Sequence, residues 1–425
     1  MIKVILNDII NIISGGTPKT TIEEYWKDGT VGWLSVNDFN NDNRYVYDSE
    51  KKITELGVEK SNTKYLNRGD IIISARGTVG ALAQIGKPMC FNQSCFGLRG
   101  KEGIVDTDFL YYSLKNYVRN IIKRSQGSVF NTINLASFEL MELEIPETID
   151  TQKQIAKVLS DLDAKIEVNN KINQELEALA KTIYDYWFVQ FDFPDQNGKP
   201  YKSSGGKMEY NEELKREIPE GWEVKMLNKI FEFEKGKEPG SAEYVNKKVD
   251  ENYIKFFRVG NIDGISDTFI DSTKQDYLYA SEGDVIVTFD GSVGKVGIGI
   301  NGIYSSGLRK IYSISDEIHS SFIYFVFKDE RIIKTIHKYS TGSIILHASK
   351  SIDFLNIFYH KETIEKYQNF INPFYEKIVY NLKENQKLAA LRDWLLPMLM
   401  NGQVTVGEAK EQLGMVAEEE EKYNF

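Results

Sequence analysis

The stretch GDVIVTFDGSVG (Gly283–Gly294) has a near copy, GDIIISARGTVG (Gly69–Gly80), about half a chain earlier. Each begins with Gly-Asp, continues with three β-branched residues and a Ser or Thr, and ends with Gly, a second Ser or Thr, Val and Gly. Short β-branched runs bounded by glycine are typical of buried strands, and the later glycines suit turns with positive φ. The sequence therefore predicts one strand and turn that occur twice.

The repeat extends over most of the chain. Upstream, GGTPKTTIEEYW (Gly15–Trp26) matches GKEPGSAEY (Gly236–Tyr244). Downstream, Phe109–Val129 matches Phe322–Ile344, and both segments are typical of a helix followed by a loop that contains QGS or TGS. Because the elements follow in the same order, we interpret the chain as two copies of one β-rich domain of about 150 residues.

A different pattern separates the copies. The segment Thr151–Phe188 contains no Gly or Pro. Its apolar residues recur with a heptad spacing, which is typical of a coiled coil, and two asparagines, Asn169 and Asn173, occupy seam positions. The second copy is followed by the same pattern, with Asn381 and Asn385 at the matching positions. The sequence therefore predicts two similar long helices.

The four asparagines predict how these helices pair. Asparagine in an apolar seam lowers stability, and its known use is to select register and partner. Asn169 and Asn173 flank the midpoint of the first seam, as Asn381 and Asn385 flank that of the second. Antiparallel pairing would bring all four into one polar layer. The alternative is that each helix lies on its own domain with its asparagines facing solvent.

Together these patterns predict an α+β fold, in which two similar β-rich domains are joined and separated by a pair of long antiparallel coiled-coil helices, with an internal pseudo-twofold repeat. A helix pair of about 33 residues is roughly 50 Å long and would act as a spacer. The expected boundaries are 1–150 for the first domain, 151–190 for the central helix, 191–365 for a linker and the second domain, 366–405 for the distal helix, and 406–425 for an acidic C-terminal tail.

The composition is that of a folded, cytoplasmic protein. Of 425 residues, 41% are hydrophobic, and no apolar run reaches the roughly 18 residues of a membrane span. No cleavage site follows the apolar N-terminal stretch, so we expect no signal peptide. Cys90 and Cys95 have no nearby partners for zinc, and we expect both to be buried. The net charge of −10 does not exclude nucleic acid, because binding depends on where charges cluster.

The order of domain, heptad helix, domain, heptad helix resembles the specificity subunits of type I restriction-modification systems. The stretches that carry the resemblance are GGTP (Gly15–Pro18), GDIIISARGTVG, IPETIDTQKQIAKVLSDLDAKIEVNN (Ile145–Asn170) and KREIPEGWEVKMLNKI (Lys215–Ile230). One departure is GKEPG in the second copy, where the first has GGTPK.

The resemblance implies a function. In that family each β-rich domain is a target recognition domain that reads one half of a split double-stranded DNA site, and the helices separate the domains and dock two methyltransferase subunits. It implies a DNA-binding subunit that is not itself an enzyme and binds no cofactor. S-adenosylmethionine, ATP and Mg would be bound by methyltransferase and restriction/translocase partners. Two alternatives remain, the specificity chain of a related combined restriction-methylation enzyme and a duplicated β-domain adhesin or carbohydrate binder.

Two short motifs are similar to catalytic sites. Asn372–Tyr375 (NPFY) is similar to the Asn-Pro-Pro-Tyr of DNA amino-methyltransferases, but Phe374 lies on the heptad seam and no glycine-rich cofactor loop accompanies it. Pro-Asp at 194–195 followed by Glu-Val-Lys at 223–225 matches metal-dependent nucleases, but the segment between them is typical of a polar linker. We therefore expect no catalytic site and no metal site.

Contacts to DNA are expected from loops rich in Lys, Arg, Ser and Thr. The residues selected on this basis are Thr17, Lys19, Arg76, Thr78, Ser125, Gln126 and Ser128 in the first domain, and Lys237, Arg258, Asp290, Ser292, Thr341, Ser343 and Lys350 in the second. Arg76 and Gln126 have forked polar groups that pair with guanine and adenine edges. Asp290 stands at the position of Arg76 and could accept a hydrogen bond from a cytosine amine.

Overall fold

The chain folds into two compact units. In the computed structural model, the described residues are 1–124, 132–212, 215–343 and 345–421. The first unit comprises Met1–Glu167 and Gln386–Phe425, and the second comprises Val168–Asn385. Within the described ranges, no helix combines the length and the apolar character that a membrane crossing requires.

The first unit contains three sheets. Its strands are β1 (Ile2–Ile5), β2 (Ile10–Ser14), β3 (Val31–Leu34), β4 (Tyr45–Val46), β5 (Lys51–Ile53), β6 (Ile71–Ser74), β7 (Leu82–Ile85), β8 (Cys90–Phe91), β9 (Cys95–Gly100) and β10 (Glu142–Ile145). Five strands form a sheet in the order β2-β9-β6-β7-β4, three form a sheet in the order β5-β3-β8, and β1 pairs with β10. The helices that begin in this unit are α1 (Leu6–Ile9), α2 (Val36–Phe39), α3 (Glu55–Glu59), α4 (Thr107–Arg124), α5 (Leu135–Leu140) and α6 (Ile149–Tyr184).

The second unit contains four sheets. Its strands are β11 (Met208–Asn211), β12 (Arg216–Pro219), β13 (Glu223–Met226), β14 (Phe231–Lys235), β15 (Tyr253–Phe257), β16 (Phe269–Asp271), β17 (Tyr279–Ala280), β18 (Val285–Thr288), β19 (Val296–Gly297), β20 (Gly302–Tyr304), β21 (Leu308–Ser313) and β22 (Asn356–Tyr359). The other α-helices found among the described residues are α7 (Ser320–Val326), α8 (Glu330–Lys338), α9 (Lys361–Met400) and α10 (Val406–Glu421).

The sheets of the second unit repeat those of the first. The order β14-β21-β18-β19 matches β2-β9-β6-β7, and β16-β15-β20 matches β5-β3-β8. The matching pairs β3·β8 and β15·β20 are both parallel, and the terminal pairs β1·β10 and β13·β22 are both antiparallel. The predicted α+β fold with an internal repeat is therefore confirmed in strand order and strand direction.

The repeated β-branched runs form the central strands β6 and β18, and every residue of both strands is buried. Successive side chains of a strand point to opposite faces. Accordingly, Ile71 and Ile73 pack in one apolar cluster and Ile72 in another. Ile286 is likewise separated from its neighbours Val285 and Val287. A continuous apolar run is needed because both faces of each strand are covered.

The helical segment after these sheets differs between the copies. The first copy has the single helix α4, whereas the second has α7 and α8. The break falls at Asp329, whose side chain caps α8 by accepting a hydrogen bond from the amide of Arg331 at 2.8 Å. An aspartate that caps a helix favours a non-helical backbone at its own position, which ends the preceding helix.

Within each unit, part of α6 pairs with part of α9 in antiparallel orientation. In the second unit, Ala180 of α6 lies near Tyr367, whose hydroxyl donates to the Ala180 carbonyl at 3.0 Å, whereas Asn169 lies near Asn385. In the first unit, Leu159 and Leu162 share a core with Leu388 and Leu395. The alternative of helices with solvent-facing asparagines is wrong, because Asn169, Asn173 and Asn381 are buried.

The asparagines form a polar layer within the second unit. Asn169 Nδ2 donates to Asn385 Oδ1 at 2.9 Å, and Asn381 Nδ2 donates to Asn173 Oδ1 at 2.8 Å. These are the pairs that an antiparallel register predicts. Glu384 also accepts from Asn169 at 2.5 Å. Among the described residues, the buried Oδ1 of Asn381 has no hydrogen-bond partner, so the layer is not fully satisfied.

A second buried polar contact joins three helices of the first unit. Asp163 of α6 accepts from the Tyr112 hydroxyl of α4 at 2.6 Å and from Arg392 of α9 at 2.7 Å. The side chains of Asp163 and Arg392 are only 5% and 3% exposed. Burial, together with the Asp163 carboxylate, raises the pKa of Tyr112 well above its usual value. The hydroxyl therefore remains a donor at neutral pH.

The asparagine layer predicts a non-additive effect on stability. Asn381→Leu alone should destabilise the protein by about 1–3 kcal/mol, because Asn173 would remain buried without its partner. The double variant Asn173→Leu/Asn381→Leu should lose less than either single variant or gain stability, since both polar groups are removed together. Urea denaturation of the wild type and the three variants measures this. Additive losses would contradict the pairing.

The Asp163 contact predicts a large loss of stability. Asp163→Ala should destabilise the protein by roughly 3–5 kcal/mol, because it removes one partner of a buried ion pair. Asp161→Ala is the matched control on the same helix, since Asp161 forms only an exposed pair with Lys157 and should contribute less than about 1 kcal/mol. Thermal and urea denaturation distinguish the variants. Equal losses of stability would show that the buried pair contributes no more than the exposed pair.

Candidate nucleic-acid interface

The turn after β6 is stabilised by hydrogen bonds of the Ser74 hydroxyl. The hydroxyl of Ser74 donates to the carbonyl of Thr78 and accepts from the amide of Ala81 at 2.8 Å. Gly77 and Gly80 have φ values of +77° and +88°. A Cβ at Gly77 would meet no atom within 4 Å, so glycine is required there for its backbone angle and not for space.

The turn after β18 is built in the same way. Thr288 Oγ1 donates to the Ser292 carbonyl at 2.5 Å and accepts from the Lys295 amide at 2.9 Å. Gly291 and Gly294 have φ values of +69° and +79°. The positive φ predicted for the glycines of both turns is confirmed. The Ser or Thr that ends each repeated strand is thus the residue that holds the turn, which explains why both copies have a hydroxyl there.

Each turn is also hydrogen-bonded to two other chain segments, which are equivalent in the two units. In the first unit, the amide of Ala75 donates to Ser94 at 2.8 Å, and the carbonyl of Ala75 accepts from Ile133 at 2.9 Å. In the second, Phe289 donates to Gly307 at 2.9 Å and accepts from Ala348 at 2.8 Å. The backbone around the turn is therefore fixed without help from the side chain of Arg76 or Asp290.

The residues predicted to contact DNA in the first domain lie at the surface where they are described. Thr17, Lys19, Arg76 and Thr78 are exposed. The Thr17 hydroxyl is hydrogen-bonded to Gln93. Arg76 and Thr78 lie on the fastened turn itself. The remaining three predicted residues, which are outside the described part of the chain, are Ser125, Gln126 and Ser128.

The predicted residues of the second domain occupy several loops. Those that are exposed are Arg258, Ser292, Thr341, Ser343 and Lys350. Lys237 is half-buried, and its amide donates to the Tyr304 carbonyl at 3.2 Å. The guanidinium carbon of Arg258 lies 5.4 Å from the centroid of the Tyr244 ring, a cation–π contact that orients the side chain.

The carboxylate of Asp290 already has a side-chain partner. Its Oδ1 lies 2.7 Å from Nδ1 of His347. Beside it, the guanidinium of Arg309 is buried and donates to Ser349 Oγ at 3.0 Å. Burial lowers the pKa of Arg309, and the negative charge of Asp290 acts in the opposite direction. Sequence reasoning did not identify His347 or Arg309, because neither belongs to the repeated stretches.

The first of the two motifs that are similar to catalytic sites lies within a helix. Asn372–Tyr375 lies inside α9, where the Asn372 amide donates to Glu376 at 2.6 Å and the Tyr375 hydroxyl donates to the Gly283 carbonyl at 2.8 Å. The prediction that the segment between the two parts of the second motif is a polar linker is wrong in part, since β11 and β12 form an antiparallel hairpin within it. Each strand of that hairpin has only four residues, too few for a clear sequence pattern.

The side chains show no metal-binding group. Within the described ranges, no cluster of three or more His, Cys, Asp or Glu residues is positioned to hold a metal ion. Cys90 and Cys95 are free and buried, as expected from the sequence. Burial raises the pKa of Cys90 to about 11, so its thiol stays protonated at neutral pH.

Comparison with known proteins gives a consistent result. The sequence model of the type I restriction modification DNA specificity domain matches residues 2–178 and 219–357. The chain is 29% identical over 418 residues to the type I restriction enzyme MjaIX specificity subunit of Methanocaldococcus jannaschii, which covers 95% of this chain and 93% of that protein. It is 26% identical over 341 residues to the HindI specificity subunit of Haemophilus influenzae, with 67% and 73% covered.

A solved structure shares the fold. The S subunit of a type I restriction-modification system from M. genitalium matches with a TM-score of 0.51 and 17% identity, over 94% of this chain and 95% of that one. The family model covers more than half of the chain and matches both copies of the repeat. The chain therefore belongs to the family of type I restriction-modification DNA specificity subunits.

Proposed function

We propose that each β-rich domain reads one half of a bipartite DNA site, and that a non-specific spacer separates the halves. The observation that carries this proposal is the pair of turns after β6 and β18. Their backbones are fastened by the same hydrogen bonds, yet they present Arg76 in one domain and Asp290 in the other. A frame that is constant while its side chains differ suits the reading of different bases at two places.

The chemistry of the exposed residues supports this assignment. Arg76 has the forked donors that pair with O6 and N7 of guanine in the major groove. The exposed hydroxyls of Thr78 and Ser292, one on each turn, are suited to phosphate or base contacts, because hydroxyls and amides near a turn commonly fix a protein on the DNA backbone. Specific and positioning contacts would thus come from the same short segment.

We also propose that the chain is a recognition subunit without catalytic activity. Methylation and cleavage would be performed by two methyltransferase subunits and by restriction/translocase subunits, which would bind S-adenosylmethionine, ATP and Mg. The helical position of Asn372–Tyr375 supports this, since a base-positioning motif requires a loop beside a cofactor, and here the segment packs within α9. The chain itself would act in the cytoplasm by selecting the DNA that its partners modify.

The half-site assignment is tested in the complex reconstituted with its methyltransferase subunits, by sequencing methylated members of a random DNA library. Arg76→Ala should relax one position in one half-site, and Ser292→Ala should weaken selection only in the other. Each lost base contact should reduce discrimination by about 1–3 kcal/mol. Lys60→Ala is the control, since Lys60 is an exposed cation outside the predicted loops.

Two outcomes would contradict the proposal. If Arg76→Ala relaxed both half-sites equally, the domains would not read independently. If the purified chain alone, with S-adenosylmethionine, ATP and Mg, methylated or cut DNA, and Asp195→Ala abolished that activity, the chain would be an enzyme.

The length of the two helices predicts the length of the DNA spacer between the half-sites. A heptad adds about 10.5 Å to a helix, which corresponds to about three base pairs at 3.4 Å each. Insertion of seven residues after Asn170, with seven more after Leu382, should therefore lengthen the spacer by about three base pairs and leave both half-sites unchanged. Methylation sequencing measures the new spacer. An insertion in α6 alone is the control and should abolish specific methylation, because the seams would no longer match. An unchanged spacer in the double insertion would refute the role of the helices.

A further inference from the structure

The turn of the second domain carries a histidine that the first domain lacks. His347 and Asp290 face each other in an isolated β-bridge, and their side chains meet through Nδ1 and Oδ1 at 2.7 Å. The residue of the first domain that corresponds to His347 is Thr132. The residues that follow them, Ile133 and Ala348, donate equivalent hydrogen bonds to the carbonyls of Ala75 and Phe289. The pair is therefore specific to the second copy.

His347 is held firmly but its ring is open to solvent. Its amide donates to the Thr341 carbonyl at 2.7 Å, and its carbonyl accepts from the Thr341 amide at 2.9 Å. The neighbouring Leu346 carbonyl accepts from the amide of Gly291 at 2.8 Å. The side chain of His347 is nevertheless 62% exposed, whereas that of Asp290 is 24% exposed. The more accessible polar group at this turn is thus the imidazole.

The surroundings of Asp290 suit a supporting role. The carboxylate is paired with the imidazole of His347, and its negative charge also acts on the buried guanidinium of Arg309, opposing the lowering of the Arg309 pKa by burial. Arg309 itself is fixed by donating to the Ser306 carbonyl at 2.7 Å and to Ser349 Oγ. A carboxylate that is hydrogen-bonded to Nδ1 of a histidine can orient that ring. This arrangement resembles the way in which a carboxylate sets the tautomer of an imidazole.

We propose that His347 is the base-reading residue of this turn and that Asp290 positions it. When Nδ1–H donates to the carboxylate, Nε2 of the neutral ring is left as an acceptor, on a side chain that is 62% exposed. In the major groove, that acceptor suits the exocyclic amine of adenine or cytosine. The inference rests on the proposed function, because it assigns a reading atom to the second domain.

The test uses the complex with its methyltransferase subunits and a library in which both half-sites are randomised. His347→Ala should reduce discrimination at one adenine or cytosine position about 10- to 100-fold, and the other half-site and the spacer should stay unchanged. Asp290→Ala should have the same effect as His347→Ala, and the double variant should lose no more than either. Asp290→Asn should keep most of the preference, because its amide oxygen can still accept from Nδ1–H. His319→Ala, which removes an exposed histidine of the same domain that lies outside this turn, is the control.

Several outcomes would overturn the inference. If His347→Ala left the library profile unchanged, the ring would read no base. If Asp290→Ala caused a further loss in the His347→Ala background, Asp290 would read a base itself. A guanine at the affected position would refute the acceptor assignment. These failures are distinct from failure of the proposed function, in which the wild-type complex would select no bipartite site at all.

Discussion

The hydroxyl group at the end of each central strand is the constraint on which the two repeated turns depend. Ser74 and Thr288 are fully buried, and each accepts a hydrogen bond from an amide beyond the turn while donating to a carbonyl within it. A buried hydroxyl without partners would be costly, so the turn closes around it. The strand is fixed in turn by apolar cores on both faces. The position of the exposed residues thus follows from the strand, not from their own side chains.

In the helix pair, by contrast, the seam residues favour one register over the highest stability. Leucine at all seam positions would bury more apolar surface than the asparagine layer does, and the Oδ1 of Asn381 has no partner among the described residues. The layer nevertheless admits one alignment of α6 and α9, because a shift by one heptad would place Asn173 against apolar residues. A protein that only had to be stable would gain from removing this layer. Its presence is consistent with a chain whose helices must keep one register.

Features with a periodic or repeated sequence signal could be predicted, and contacts between single residues outside such patterns could not. The strands β6 and β18, the positive φ of Gly77 and Gly291, and the pairing of Asn169 with Asn385 follow from residue type and spacing. The contact of Asp290 with His347 spans 57 residues, and that of Asp163 with Arg392 spans 229. No periodicity links such residues. The hairpin β11–β12 was missed for another reason, since each of its strands has only four residues, too few for a clear pattern.

The two copies show how one frame can accommodate different recognition chemistry. The residues that hold the turn are the Ser or Thr hydroxyl, the two glycines and the backbone of the residue that follows the strand. The side chain of Arg76 is not among them, and that of Asp290 adds a contact to His347, on a segment whose backbone already holds the turn. At the same position, one domain presents an exposed guanidinium, and the other a carboxylate that is paired with His347 from a neighbouring segment. A change at these positions alters the polar groups offered to a ligand at little cost to the fold, because the energetics of the turn depend on other atoms. Under the proposed function, duplication of such a domain would give two surfaces with similar turns and separable specificity.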